Sequence, residues 1–209
     1  MTKRPSFTPW DVRELPAILD PDEARRRAAI FGWINTRLAE LLEGWAATTD
    51  SDAAKTVFAK HTDNFKWHAS LWNDQILGGD AKPEPGDTKV IVDAVAATEV
   101  SDLVAALSAV YRVLLPRLIG AQTYHSNALN VHDDAATHRW VPFILQDQLQ
   151  AVRDGELLLQ SLLRDAKAVE RSASTRAAIE STIVKIGGLL GPQTLGDFSE
   201  DAIKEVPVR

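Results

Sequence analysis

The chain has no cysteine among its 209 residues, which excludes disulfide bonds, thiolate metal sites and cysteine nucleophiles. It has no run of eighteen or more apolar residues, and no signal-peptide core follows its first residues. No basic block is longer than Arg25 to Arg27, and the formal net charge is −6. We therefore expect a cytoplasmic protein that binds neither nucleic acid nor a membrane.

Alternation of apolar and polar residues at period two is also missing, so strands are not expected. Apolar residues instead recur at helical spacing, and a hydrophobic content of 45% is enough for one good core. The sequence thus predicts an all-α fold. Residues 1–20 carry three prolines and are predicted to form an extended arm. A first helix is expected from Asp20-Pro21 to Thr48, with a second following from Asp52 to Leu77.

Prolines and glycines in 78–87 predict a long loop in the middle of the chain. The patterns after it predict a short helix near 89–97, a third long helix and a fourth. Pro116 is expected to kink the third helix, and Pro142 to bend the fourth near its start. A last, shorter helix is expected over 172–186. The predicted domain organisation is an arm (1–20), a helical bundle (21–190) and a C-terminal tail (191–209).

Polar side chains interrupt the apolar stripes of these helices. His61 and His68 lie seven residues apart on the inward stripe of the second helix. A buried polar group without a partner costs about 1–3 kcal/mol, so such a set predicts a polar pocket. No carboxylate falls on a stripe centre. The other positions predicted to line the pocket are Asn64, Phe65, Trp72, Tyr111, Gln122, His125 and Gln148.

Three segments carry a family resemblance: RLAELLEGWA at 37–46, the stretch from His61 to Trp72, and the stretch from Arg139 to Glu156. Together they resemble bacterial ferritin-like domain proteins. The resemblance implies a four-helix bundle with a long middle crossover, here followed by an additional short C-terminal helix.

Ferritin-like di-iron sites use one Glu from each of two helices and Glu-x-x-His from each of the other two. In this chain Phe65 stands where Glu should precede His68, and Gln148-x-x-Ala151 replaces the second motif. Neutral side chains cannot offset the charge of two iron ions in a protein interior. The expectation is a ferritin-like protein whose di-iron site has degenerated.

The function expected first is binding of an organic small molecule in the bundle, without a cofactor. Whether the protein is an enzyme stays open. An enzyme of this kind would be a metal-independent isomerase, cyclase or lyase, with His61 or His68 as acid or base. Asn64, Tyr111 and Gln148 would then orient a carbonyl or hydroxyl group of the substrate.

Two alternatives come from other classes of protein. In the first, His61, His68 and His125 ligate a transition metal, or one of them ligates a haem, as in an oxygenase. In the second, the protein is a non-catalytic binding module that works as a homodimer. Phe7 and Trp10 of the arm would then contribute to the dimer contacts.

Overall fold

The computed structural model describes residue 19 and residues 21–74, 85–129 and 135–191, and all regular elements in these ranges are helical. The prediction of an all-α fold is therefore confirmed. Apart from residue 19, the predicted arm lies outside the described residues, and so does the predicted tail beyond residue 191. The helices are α1 (Pro21–Thr48), α2 (Asp52–Asp74), α3 (Thr88–Ala96), α4 (Leu103–Ala109), a π-helical segment (Val110–Leu114), α5 (Leu115–Ala128), α6 (Ala135–Leu162) and α7 (Ala166–Lys185).

Helices α1 and α2 form an antiparallel hairpin. Their connection is short because Thr49 closes α1 with a backbone hydrogen bond to Trp45, and the Ser51 hydroxyl accepts one from the amide of Ala54 at the start of α2. Trp45 packs on Phe58 near the turn, and Phe31 packs on Trp72 far from it. The two helices therefore stay in contact along most of their length.

The third long helix runs continuously from Leu103 to Ala128 but changes its winding. In the π segment the amide of Leu115 donates to the carbonyl of Val110, five residues back. Pro116 follows at once; it has no amide hydrogen, and its ring would crowd the carbonyl four residues before it. The predicted kink position, Pro116, thus lies directly after a widened turn, and the helix continues to Ala128.

Contacts between side chains fix the directions of the helices. His61 meets Tyr111 and Trp72 meets His125, so the third long helix runs parallel to α2. Trp72 also packs on Trp140, whereas His61 reaches Asp154, so α6 runs antiparallel to α2. The bundle therefore consists of two antiparallel pairs, and the segment 75–102 carries the chain from the first pair to the second.

Helix α7 corrects the sequence prediction of a short last helix over 172–186. It begins six residues earlier, at Ala166, and has 20 residues. The Asp165 carboxylate caps it by accepting a hydrogen bond from the amide of Ala168 at 2.8 Å. Its first turns bury no side chain before Ser172, so the apolar pattern used for the prediction could not mark them.

A buried polar network joins α7 to the bundle. The Arg112 guanidinium donates to both carboxylate oxygens of Glu156 and to the Ser172 hydroxyl, which lies 2.8 Å from the hydroxyl of Ser108. Because the guanidinium links α6, α7 and the π segment, it fixes the position of the wide turn next to Tyr111.

One described helix, Leu103–Ala128, is long and apolar enough to cross a membrane by length and composition alone. The core helix of a bundle meets the same test, and most of the apolar stretch is buried against other helices.

Candidate functional site

The structure brings most of the predicted site residues into the bundle interior. Asn64 is the exception, because it is only half-buried at the edge of α2. The side chains that are almost fully buried are His61, Phe65, His68, Trp72, Tyr111, Gln122, His125 and Gln148.

His61 is held between two partners. The Tyr111 hydroxyl lies 2.8 Å from its Nδ1 atom, and Asp154 Oδ2 lies 3.4 Å from its Nε2 atom. All three groups are satisfied when Tyr111 donates to Nδ1 and the Nε2–H group donates to the carboxylate. Lys60 donates to the same carboxylate at 2.8 Å. Both ring nitrogens of His61 are therefore used within the protein.

Tyr111 reaches His61 because of two local features. It lies in the π segment, whose wider turn displaces a side chain from its α-helical position. Its ring also lies directly against the backbone of Gly155 on α6, where a Cβ atom would overlap the ring. The glycine is therefore needed for this close approach between the two helices.

His68 has a partner on one side only. Its Nε2 atom lies 3.3 Å from Asp147 Oδ2, whereas its buried Nδ1 atom has no partner among the described residues. The rings of Phe65 and Trp67 pack beside it, with centroid distances of 5.7 and 5.5 Å. When Nε2–H donates to Asp147, the Nδ1 lone pair remains free inside the bundle.

Asp147 and Asp154 bring two carboxylates to the site, although neither lies on the centre of a stripe. Both lie beside the inward stripe of α6 and reach the imidazoles from its edge; Asp147 is 39% exposed and Asp154 is 20% exposed. A pattern in the sequence could have identified these two aspartates. The aspartates are seven residues apart, as are His61 and His68, so two antiparallel helices align both pairs at once.

Several other buried polar atoms also lack partners among the described residues. Gln122 and Gln148 leave both the oxygen and the nitrogen of their amides unpartnered. Native proteins leave few such groups, so each needs an explanation.

Sequence reasoning missed Asn35, which is fully buried on α1 one turn after Phe31. The remaining unpartnered atoms at the site are Asn35 Oδ1, Trp72 Nε1 and His125 Nδ1.

Aromatic rings form the layer next to these amides. The Trp72 ring contacts Phe31, Trp140 and His125 at centroid distances of 4.8, 4.7 and 5.5 Å. Gln122 lies one turn before His125 on α5. The interior therefore has an aromatic layer at one level and the pair of Tyr111 and His61 about 16 Å away along α2, by the rise of an α-helix.

Burial sets the charge state of these groups. It lowers the pKa of His61 and of His68, and the hydrogen bonds that these imidazoles donate to Asp154 and Asp147 only partly oppose this effect. Burial, together with the nearby Arg27 guanidinium, lowers the pKa of His125 to about 3. The pKa of Tyr111 is raised, mainly by burial. At neutral pH the three imidazoles are thus uncharged and the phenol is protonated.

The described residues include no group of three His, Asp or Glu side chains placed to hold a metal ion. His61, His68 and His125 have different neighbours: Tyr111 and Asp154 for the first, Asp147 for the second, and the aromatic layer for the third. The three-histidine arrangement considered from the sequence is not assembled here. Ligation of haem by a single histidine stays a prediction.

Comparison with protein-family models, with curated proteins and with solved structures finds no match to this chain.

Proposed function

We propose that this protein is a ferritin-like bundle without a conventional di-iron site, and that it binds an organic small molecule between its helices. His68 would transfer a proton to or from that molecule. The reaction class that fits is a non-redox isomerisation, cyclisation or elimination. The free Nδ1 atom of His68, buried and backed by Asp147 on the other ring nitrogen, is the observation that carries the proposal.

The helix directions support the ferritin-like part of the proposal. A parallel arrangement of α2 and the third helix needs a long connection between two antiparallel hairpins, which is the plan of ferritin-like bundles. The residues at the expected ligand positions, Phe65 and Gln148, cannot bind iron as glutamate would. Neutral side chains thus occupy the positions at which ferritin-like proteins would hold metal.

The acid/base part follows from the state of the imidazole. Neutral His68 donates through Nε2 to Asp147, and the negative carboxylate stabilises the imidazolium that forms when Nδ1 accepts a proton. The indole N–H of Trp72 and the amide N–H groups of Gln122 and Gln148 are unpartnered donors that could stabilise negative charge on a carbonyl oxygen. The imidazolium would then return its proton to another atom of the same molecule.

His61 has a different role in this proposal. Both of its ring nitrogens are occupied, so it cannot accept a proton from a ligand unless Tyr111 moves. We assign it to holding Tyr111 in place at that end of the site. His61 is in this sense a positioning residue.

The test of ligand binding uses the protein as purified. Each protein is denatured, and the small molecules that it releases are identified by mass spectrometry. The proteins compared are the wild type, Gln148→Leu and Gln146→Leu. Gln146 is exposed on the same helix and is the matched control. We expect the same organic compound from the wild type and the control, and at most about a tenth as much from Gln148→Leu. Equal recovery from all three proteins, or none from any, would contradict the proposal.

Proton transfer is tested on the released compound. After incubation with the protein in D2O, we expect deuterium at a carbon position of the compound. The exchange rate should fall at least about a hundredfold in His68→Gln, since general-base catalysis contributes 10²–10⁴-fold. Unchanged exchange in His68→Gln would remove His68 as the base, while the binding result would stand separately.

A histidine-bound metal or haem is the competing proposal. It is favoured by the two His–Asp pairs, because metal-ligating histidines commonly donate their second nitrogen to a carboxylate. Elemental analysis and an absorption spectrum of the purified protein distinguish the two proposals. A stoichiometric metal, or a Soret band that is lost in His68→Gln, would favour the metal or haem protein.

A further inference from the structure

We infer that the ligand of this site is an uncharged, planar molecule that carries a cyclic amide, that is, a lactam fused to or conjugated with an aromatic ring. This inference rests on the proposed function and adds the chemical class of the ligand. Its basis is the set of unpartnered atoms inside the bundle, taken together with the aromatic rings beside them.

The unpartnered groups of the site are uncharged. The buried groups at the site that lack partners are amides, an indole N–H and neutral imidazole nitrogens, and none of them carries a formal charge. Both carboxylates of the site already contact a histidine, and Asp154 also accepts from Lys60 and Gln150. The Arg27 guanidinium, which is buried near His125, already donates to Glu23. An ionic ligand would therefore lose its hydration without gaining an unpaired opposite charge among the described residues, which costs far more than burying a neutral polar group. The interior therefore selects an uncharged molecule.

The two buried glutamines offer a defined pattern of hydrogen-bond donors and acceptors. A glutamine side chain presents a donor and an acceptor side by side, and a cis amide presents the complementary pair. Gln122 on α5 and Gln148 on α6 are each fully buried with both amide atoms free, and these helices pack against each other. A lactam edge can pair with such an amide through two hydrogen bonds. A simple ketone, an ether or a hydrocarbon leaves at least the amide oxygen unsatisfied.

Aromatic rings determine the shape of ligand that the site can bind. Trp72 packs edge-to-face on Trp140 and is tilted on Phe31, so rigid flat rings form the layer beside the amides. Aromatic rings of this kind bind planar molecules through stacked and edge-to-face contacts. Trp72 Nε1 provides one further donor for the lactam oxygen.

The experiment compares four bicyclic probes of nearly equal size by calorimetry with the full-length protein: quinolin-2(1H)-one, its N-methyl derivative, quinoline-2-carboxylate and the N-methylquinolinium cation. We expect the lactam to bind at least about tenfold more tightly than each of the other three, because each lacks the donor–acceptor pair or brings an unpaired charge. Gln122→Leu and Gln148→Leu should each weaken lactam binding by about tenfold, whereas Gln146→Leu should leave it unchanged.

The outcomes separate the two proposals. If a charged probe or the N-methyl derivative binds as tightly as the lactam and depends on Gln148, the lactam inference is overturned and the proposed function survives. If no probe binds, the lactam inference is overturned and the compounds released on denaturation still decide the proposed function. If the lactam binds but neither buried glutamine variant weakens its binding relative to the wild type, the site assigned to it is overturned together with the lactam inference. The ranking of the four probes on the wild type still decides the ligand class should a glutamine variant not fold.

Discussion

At the scale of the residue, the contact between Gly155 and Tyr111 decides the shape of the site. A methyl group at position 155 would overlap the phenol ring, which is fully buried and has no room to retreat. The ring in turn places its hydroxyl against His61. The absence of a Cβ atom at Gly155 on α6 therefore lets Tyr111 take up the position from which it contacts His61 on α2.

We predict that Gly155→Ala lowers the free energy of unfolding by about 1–3 kcal/mol, the usual cost of overpacking a core. It should also release the Tyr111–His61 hydrogen bond, which changes the imidazole signals in nitrogen-15 NMR. The matched control is Gly120→Ala, where no atom lies within contact distance of the added methyl group. The free energy of unfolding of that variant, measured by urea titration, should rise by about 0.5–1 kcal/mol. Equal effects of the two substitutions would show that the close contact is absent in solution.

Gln148 gives a second prediction at this scale. Its amide is fully buried and leaves both polar atoms without partners, so leucine should be the more stable residue there. We expect Gln148→Leu to raise the free energy of unfolding by about 1–3 kcal/mol while ligand binding is lost. Gln146→Leu, on the exposed side, should stay within about 0.5 kcal/mol of the wild type. Destabilisation by Gln148→Leu would mean that the amide makes hydrogen bonds inside the free protein.

At the scale of the element, end caps decide where helices begin. Helix α7 starts at Ala166 because the Asp165 carboxylate accepts the amide hydrogen of Ala168. We predict that Asp165→Ala costs about 1 kcal/mol of stability, since a free amide is left at the start of the helix. Asp63→Ala, at an exposed position inside α2, is the control and should change the free energy of unfolding by less than about 0.5 kcal/mol. Urea titrations followed by circular dichroism measure both; a neutral Asp165→Ala would contradict the cap.

The pairing of α2 with α6 is also a property of elements. Two histidines and two aspartates with the same seven-residue spacing meet because the helices are antiparallel. The spacing is visible in the sequence, and so is the inward position of the histidines. Which aspartate contacts which histidine cannot be read from the sequence. Asp147 and Asp154 lie off the stripe centre, and their side chains reach the imidazoles only at the distance set by helix packing.

At the scale of the whole molecule, three buried neutral histidines make stability depend on pH. Their pKa values are lowered in the folded state, to about 3 for His125, from an ordinary value near 6.5. The unfolded chain therefore binds more protons below pH 6.5, and the stabilising effect of neutral histidine is complete above that pH. It decreases as the pH falls toward the folded-state values.

We predict that the free energy of unfolding falls by at least about 1 kcal/mol per pH unit between pH 6 and 4.5, since one proton per molecule corresponds to about 1.4 kcal/mol per unit. In His125→Leu the free energy of unfolding should change less steeply with pH, by the equivalent of about one proton, or about 1.4 kcal/mol per pH unit. Guanidinium titrations at several pH values measure both slopes. Below pH 4.5 the carboxylates of Glu23, Asp154 and Glu156, whose pKa values are lowered, add to the loss. A flat profile between pH 6 and 4.5 would show that the histidines are hydrated.

The helices followed from the sequence to a large extent. Apolar periodicity and end signals gave α1 from its proline to Thr48, the start of α2 and the short α3, and they placed eight site residues correctly in the interior. The start of α7 was predicted wrongly, because its first turns bury nothing that a hydrophobic pattern could report. Asn35 was overlooked because the apolar stripe was traced through its neighbour Ile34.

The sequence by itself determined the all-α fold, the inward position of the histidines and amides, and the neutral residues at Phe65 and Gln148, because these depend on composition and on the fixed periodicity of a helix. Only the tertiary structure decided which groups touch. The Tyr111 hydroxyl takes one nitrogen of His61, Asp147 takes one nitrogen of His68, and the other nitrogen of His68 is left free. Those outcomes depend on the separation, direction and winding of helices far apart in the chain, which no local pattern specifies.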